Sequence, residues 1–467
     1  MPRDASIELA EGTRTLLVAP AGYGKTHTIA LAAKLAHLTQ GRQLILTHTH
    51  AGVQSIKTKL RNEKVPQEAF RVETIAGWTL KYASAFKSIS GLEDERPRGA
   101  QHDSVYTAFM NCLVSPAVRK VITSTYGGFF VDEYQDCMQL QHDVVLGLAE
   151  LLPCRVVGDP LQGIFDFAGP IVDFDRDLDS FDRLEDLDTP HRWLLHGKEE
   201  MAKWVVSMRK ELIDLGQVTL DKPAFHINQQ VGALEFYAEK AAKEGIVCVI
   251  HQRPDEAHEF AKGTKGQFKS MEEMECKRLL SFSEFLDKAS ASIRVIGTLN
   301  FAQDCAFDLR TEFNLLKDKL RRADPIDPSD FGSASDVAAI AARYIEEPAP
   351  LILVELLKCA TERANVIVYR KELLYEGIRA IRAHFAGDYT TFADAAYDSR
   401  DKTRQRGRPD ERLSSSRVLL VKGLEYDYAL VANADQLKAK ELYVALTRGC
   451  KGILVQSSGH VIRPSPT

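Results

Sequence analysis

An α/β fold with mostly parallel sheets, built twice along the chain, is predicted from three observations. Early in the sequence, apolar and β-branched runs alternate with helical patterns: "RTLLVAP", "RQLILTHTH", "FRVETIAG", "GGFFVDE" and "CRVVGDP" read as buried strands. "AGVQSIKTKLRN" and "QLQHDVVLGLAELL" lie between them as helices. A second set of strand-like runs, "EGIVCVIHQ", "RVLLVKG", "DYALVANA" and "GILVQSS", follows later. Finally, "LLVAPAGYGKTH" at residues 16–27 passes from an apolar strand through a glycine-spaced turn into a helix start.

The bulk numbers agree with this reading. A chain of 467 residues is too long for one simple core and suggests roughly two to four domains. Hydrophobic residues make up 45% and charged residues 27%, an ordinary globular composition. No uninterrupted apolar run is long enough to span a membrane. The opening "MPRDASIELAEG" lacks the apolar stretch of a leader, so a cytoplasmic location is expected. Eight scattered cysteines include no C-x-x-C pair and read as reduced, mostly buried thiols. A net charge of −5 means that any nucleic-acid surface must be a local positive patch.

Two halves are expected, 1–190 and 191–467, each interrupted by an insertion, at about 78–122 in the first and about 258–412 in the second. The second insertion is mainly helical and includes "EEMECKRLLSFSEFLDKA" and "FNLLKDKLRRA". Its charged end, "DSRDKTRQRGRPDERLSSS", is poor in apolar residues and reads as a mobile loop.

Three segments carry chemistry. In Ala19–Thr26, glycines let the backbone N–H groups of Ala21, Gly22, Tyr23 and Gly24 converge on phosphate oxygens. Lys25 reaches the β- and γ-phosphates, and the Thr26 hydroxyl is a Mg²⁺ ligand. In "GGFFVDEYQD" an apolar strand delivers Asp132 and Glu133 at its carboxyl end, where such sheets bind ligands. Asp132 suits Mg²⁺, and Glu133 suits the deprotonation of a water. In "RVVGDPLQGIFDFAG", Gln162 is placed to hydrogen-bond a γ-phosphate or its water. Phe165 and Phe167 lie two apart; the spacing favours core for both, with one ring facing a base as the alternative.

The ordered series resembles the UvrD/Rep-like helicases of superfamily 1. "APAGYGKT" is similar to motif I, "LTHTHAGVQSIKTKL" to motif Ia, and "VETIAGW" to the threonine motif that follows. "VDEYQD" resembles motif II, "VVGDPLQGIFDFAGP" motif III, and "LDTPHRW" a degraded motif IV. "VKGLEYD" resembles motif V and "LYVALTRG" motif VI. The resemblance implies two RecA-like P-loop lobes with parallel sheets, and ATP with Mg²⁺ as the cofactor set. It implies that Glu133 is the general base, Gln162 the γ-phosphate sensor, and Arg192 and Arg448 cationic fingers from the facing lobe. It implies that Gly423 and Glu425 belong to the nucleotide site, with Glu425 at the sugar. It also implies DNA, single-stranded or with exposed ends, as a partner, with Thr47, His48, Thr74, Phe165 and Phe167 as contacts.

Departures from the pattern fall unevenly. The family's adenine-reading Gln ahead of motif I is absent from "MPRDASIELAEG", and motif III ends in Ala168-Gly169-Pro170 where Arg-Gly-Ala is usual. His48 and His50 replace Phe and Asn in motif Ia; Arg417 and Leu419 replace the Thr-x-His of motif V. The hydrolytic set is nearly complete while the strand-gripping set is altered, so ATP turnover with weak or no unwinding is expected. The compact size resembles the helicase-like subunit of bacterial Gabija anti-phage systems, which implies an OLD-family nuclease as partner in a hetero-oligomer. A stand-alone repair or replication helicase, and a nucleotide-sensing subunit without translocation, are the competing readings.

Overall fold

The computed structural model describes residues 4–93, 102–165, 169–221, 224–230, 232–273, 276–307, 309, 313–406 and 411–465. Phe167, Ala168 and part of the first expected insertion lie outside them. The chain is α/β, with two six-stranded parallel sheets.

The first sheet contains β1 (Arg14–Val18), β2 (Gln43–Thr47), β3 (Phe70–Thr74), β4 (Gly128–Val131), β5 (Cys154–Gly158) and β6 (Asp182–Arg183), in the order β3-β2-β4-β5-β1-β6. Its central strands are buried on both faces, as parallel strands covered by helices must be. The second sheet contains β7 (Ala224–Ile227), β8 (Val247–His251), β9 (Lys269–Ser270), β10 (Leu413–Arg417), β11 (Tyr426–Val431) and β12 (Gly449–Gln456), in the order β9-β10-β8-β11-β12-β7. Without the edge strands β6 and β9, the two sheets share one topology: the third strand along the chain lies beside the second, then come the fourth, fifth and first.

Between β3 and β4 the chain forms helices Ile75–Ala85, His102–Leu113 and Pro116–Thr125, the first two joined by an edge-on contact of Trp78 and Phe109 with centroids 5.1 Å apart. Between β9 and β10, helices from Lys277–Lys288 to Phe392–Arg406 bury their own apolar cluster, including stacked Phe282 and Phe301. The region expected to be helical from 258 thus leaves the sheet only after helix Pro254–Gly263 and β9 have joined it.

Two expectations are corrected. The apolar "RVLLVKG" is not a strand: Val418–Val421 is a short helix, and the strand is the preceding Leu413–Arg417, sequence LSSSR. Ser414, Ser415 and Ser416 are fully buried because this strand lies between β8 and β9 in the sheet's interior. The charged segment after residue 397 is not a loop throughout: helix Phe392–Arg406 runs through it and the strand begins at Leu413. Arg400 anchors that helix with Nη1 at 2.7 Å from both Glu372 and Glu376, all three nearly excluded from solvent. Composition signals a solvated segment, but paired charges can be buried.

All eight cysteines are free, and seven are buried. No helix among the described residues is long and apolar enough to cross a membrane.

Candidate functional site: a glycine loop at the interface of two lobes

The carboxyl end of β1 turns through Ala19–Gly24 into helix Lys25–Gln40. Gly22 and Gly24 take φ of +79° and +86°, a region that favours glycine. Lys25 and Thr26 open the helix, so their backbone N–H groups have no acceptor within it and point toward the loop.

β4 delivers the acidic pair beside this loop. Asp132 is buried and its backbone N–H donates to Leu46 O in β2 at 2.9 Å. Glu133 takes a left-handed conformation, φ +57° and ψ +40°, which costs roughly 1–2 kcal/mol for a residue with a side chain. Lys25 Nζ lies 2.7 Å from Glu133 Oε1 and 3.9 Å from Asp132 Oδ1. Burial raises the Asp132 pKa well above the usual carboxylate range, against the pull of Lys25. Thr26 stands beside the Asp132 carboxylate and also pulls its pKa down. Burial acts the same way on Glu133, but Lys25 and Lys422 overcome it and hold that carboxyl below its ordinary value. Burial opposes the charge on Lys25, and Glu133 and Asp132 more than restore it.

The second half of the chain closes over the loop. Arg192 and Trp193 belong to the short helix His191–Leu194. Arg192 N–H donates to Gly22 O at 2.9 Å, and the Trp193 ring covers Gly22 so closely that an added Cβ would lie 2.9 Å from it. The Arg192 guanidinium bonds Thr447 O and, at 2.6 Å, Glu425 Oε1; its Nε is buried without a partner. Arg448 is buried, donating through Nε to Val444 O at 2.8 Å and through Nη2 to Gln162 Oε1 at 3.3 Å. Burial, with Arg192 adding repulsion, pulls the Arg448 guanidinium down to about 10, still charged near neutral pH. Gly423, at φ +79°, makes the turn that separates Lys422 from Glu425.

Sequence reasoning missed six residues here. Gln135 bonds Glu133 Oε2 through its amide nitrogen and accepts Asp159 N–H at 2.9 Å, so it holds the general-base candidate against the next strand. Lys422 forms a buried ion pair with Asp136 across the lobes and sits 5.1 Å above the Phe165 ring. Asp159 is fully buried and pairs with Arg209 at 2.8 Å, and Tyr443 joins them. Gln135, Asp136, Asp159, Lys422 and Tyr443 stand inside the quoted motifs; Arg209, on helix Glu199–Leu215, carries no local signal.

The expected DNA contacts are spread along the carboxyl edge of the first sheet. Thr47 and Thr74 end β2 and β3; Thr74 Oγ1 accepts Gly77 N–H at 3.0 Å and caps the next helix. His48 faces inward, with Nε2 3.4 Å from Cys137 Sγ, and burial, aided by Lys422, lowers its pKa to about 3. Phe165 packs against the apolar core of the second lobe.

This donor set fits a magnesium nucleotide. The N–H groups that open helix Lys25–Gln40 and the unpartnered Arg192 Nε are donors that an anion can satisfy, and Lys25 stands beside them paired with Glu133, whereas the N–H groups of Ala21 and Tyr23 already have acceptors in Asp159 and Pro20. Mg²⁺ takes one or two protein ligands beside phosphate oxygens, and Thr26 and Asp132 offer that number. No family model matches the chain, and no curated protein sequence matches it.

Proposed function

We propose that this protein is a UvrD-like, DNA-dependent ATPase of the helicase and translocase type. In this reading it acts beside a nuclease partner in an anti-phage complex and unwinds little or no duplex by itself. One observation carries the reading: Lys25, Thr26, Asp132 and Glu133 from the first lobe meet Arg192 and Arg448 from the second around the buried amide of Gln162.

Chemical roles follow from the contacts. Lys25 neutralises Glu133 at 2.7 Å. A triphosphate competes for that ammonium, and Glu133 then gains proton affinity and can accept a proton from an attacking water. Thr26 and Asp132 would hold Mg²⁺, which supplies charge neutralisation on the phosphate oxygens. Arg192 and Arg448 bring positive charge from the facing lobe, so hydrolysis requires closed lobes.

A variant without translocation is favoured by the strand-gripping positions. Leu419 packs on the second lobe's apolar core, Thr74 spends its hydroxyl as a helix cap, and His48 faces Cys137.

The test is ATP turnover of the purified chain with and without single-stranded DNA, alongside Lys25→Ala. Turnover in wild type, stimulated by DNA and weakened by salt, with a loss of about 10³-fold in Lys25→Ala, is expected. Equal rates in the two proteins would end the catalytic assignment, and vigorous unwinding of a tailed duplex would end the claim of weak unwinding. Stable co-purification with an OLD-type nuclease tests the assembly.

A further inference from the structure

A closed ring of hydrogen bonds runs through the lobe interface beside Gln162. Arg209 Nη1 donates to Asp159 Oδ1 at 2.8 Å and to the Tyr443 hydroxyl at 2.9 Å, and its guanidinium lies 5.3 Å from the Tyr443 ring centre. The second Asp159 oxygen accepts Gln162 Nε2 at 3.0 Å and the backbone N–H of Ala21 at 3.1 Å. That same N–H reaches the Tyr443 hydroxyl at 3.2 Å. From the other end, Gln162 Oε1 accepts from Arg448 Nη2, and Arg448 lies just past the end of helix Ala439–Leu446, which carries Tyr443.

We infer that Arg209 is a positioning residue for hydrolysis: by holding the Asp159 carboxylate it fixes the Gln162 amide and the shoulder of the phosphate loop, and it does so only when the lobes are closed. The inference rests on the ATPase reading above and deepens it.

The amide argument is one of donor and acceptor. A glutamine amide can be turned end for end, and its environment must select one orientation. Asp159, a carboxylate, accepts only, so it must face the NH₂ group; the Gln162 oxygen is thereby turned to Arg448, which only donates. With the reversed amide, oxygen would meet carboxylate and NH₂ would meet guanidinium. Asp159 itself is fully buried, and Arg209 at 2.8 Å is its cationic partner. Without Arg209 the carboxylate loses its cation, and both the amide orientation and the Ala21 N–H lose their fixed acceptor.

Arg209 and Tyr443 belong to the second lobe, Asp159, Gln162 and Ala21 to the first. Separation of the lobes breaks the Arg209–Asp159 pair together with the Arg448–Gln162 contact. Orientation of Gln162 and arrival of Arg448 are therefore one event.

The experiment uses the full chain with Arg209→Met, Arg209→Lys, Asp159→Asn and the double variant Asp159→Asn/Arg209→Met. Steady-state ATP turnover is normalised to sites titrated with a fluorescent ATP analogue, so a smaller folded fraction does not count as slower chemistry. Wild type and Lys25→Ala are run in parallel. Arg209→Met is expected to lower kcat at least about 10-fold, with KM for ATP changed less than about 3-fold. Arg209→Lys, which keeps the cation, should recover a measurable part of the loss. The double variant should be no slower than Asp159→Asn alone, because one residue acts through the other.

A kcat within about twofold of wild type in Arg209→Met overturns the inference, as do multiplicative losses in the double variant. Failure of wild type to turn over ATP, or equality with Lys25→Ala, overturns the ATPase reading and this inference with it. Activity lost only in Lys25→Ala leaves the ATPase reading standing and removes Arg209 alone.

Discussion

The two lobes repeat one backbone and divide the chemistry unequally. β2 ends at Thr47 and the next helix begins at His50 after an N-cap at Thr49; β8 ends at His251 and the next helix begins at Pro254 after an N-cap at Arg253. The repeat is closest after the central strand. Asp132 and Ala432 each donate an N–H to the neighbouring strand at 2.9 Å. Glu133 and Asn433 then both turn left-handed, a 3₁₀ turn follows each, and Met138 and Lys438 N–H groups are capped by Gln141 and Glu441 side chains. The helix after the first strand starts behind a left-handed glycine in both lobes, Gly24 and Gly232.

The repeat changes how the strained backbone at Glu133 is understood. A left-handed residue beside a candidate site invites a catalytic explanation, yet Asn433 adopts the same conformation where Ala432-Asn433 stands in place of the acidic pair. The turn belongs to the fold. What sets the first lobe apart is side chains: Lys25 where the second lobe has Ala233, and Asp132-Glu133 where it has Ala432-Asn433. The second lobe contributes cations instead, Arg192, Lys422 and Arg448.

The largest effect should come from the cations. Arg448→Ala should lower ATP turnover by about 10³-fold or more with nucleotide affinity little changed; a loss below tenfold would mean that the second lobe is only a lid. On the acidic side, Glu133→Gln should cost about 10²-fold or more, whereas Asn433→Asp at the matching turn should leave turnover within about twofold. Comparable losses from the two changes would break the asymmetry.

A pH effect is expected from the ends of the second strands. His251 is buried and its pKa is lowered to about 4, against about 6.5 unfolded. The unfolded chain binds the extra proton, so the stability tied to neutral His251 is present above pH 6.5 and is lost as pH falls toward 4, at up to about 1.4 kcal/mol per pH unit. Its counterpart Thr47 does not titrate. Urea unfolding of His251→Gln should show a shallower decline through that window than wild type; an unchanged slope would contradict a neutral buried imidazole. The smallest effect concerns the shared turn. Asn433→Val should destabilise by roughly 1–2 kcal/mol and Asn433→Gly by almost nothing. If Asn433→Val folds as stably as wild type, the turn is not under the constraint that the repeat implies.

Much of the first lobe was legible because its central strands are apolar and β-branched and end in Gly, Pro or polar residues. The second lobe was harder. Its strand LSSSR is buried by sheet neighbours rather than by apolarity, and the apolar VLLV beside it is short enough to be helix or strand. Helix Phe392–Arg406 hid behind its charges because Arg400 finds its partners on another helix. At the site, Lys25, Asp132, Glu133 and Gln162 stood out by motif and spacing. Asp159 and Tyr443 stood inside motifs without a role there, and Arg209 had no signal at all, since the pairing that joins the three forms only across the lobe interface.

The contact of Trp193 with Gly22 bears on how variants of the phosphate loop should be read. The glycine at position 22 is in part a gasket: it lets an aromatic plate from the facing half lie flat on the loop. Gly22→Ala would wedge that plate away and carry Arg192 with it, so its lost activity would report spacing between halves as much as lost anion binding. A change at Lys25 removes the ammonium beside Glu133 and adds no atom under Trp193, which makes it the cleaner probe of the two.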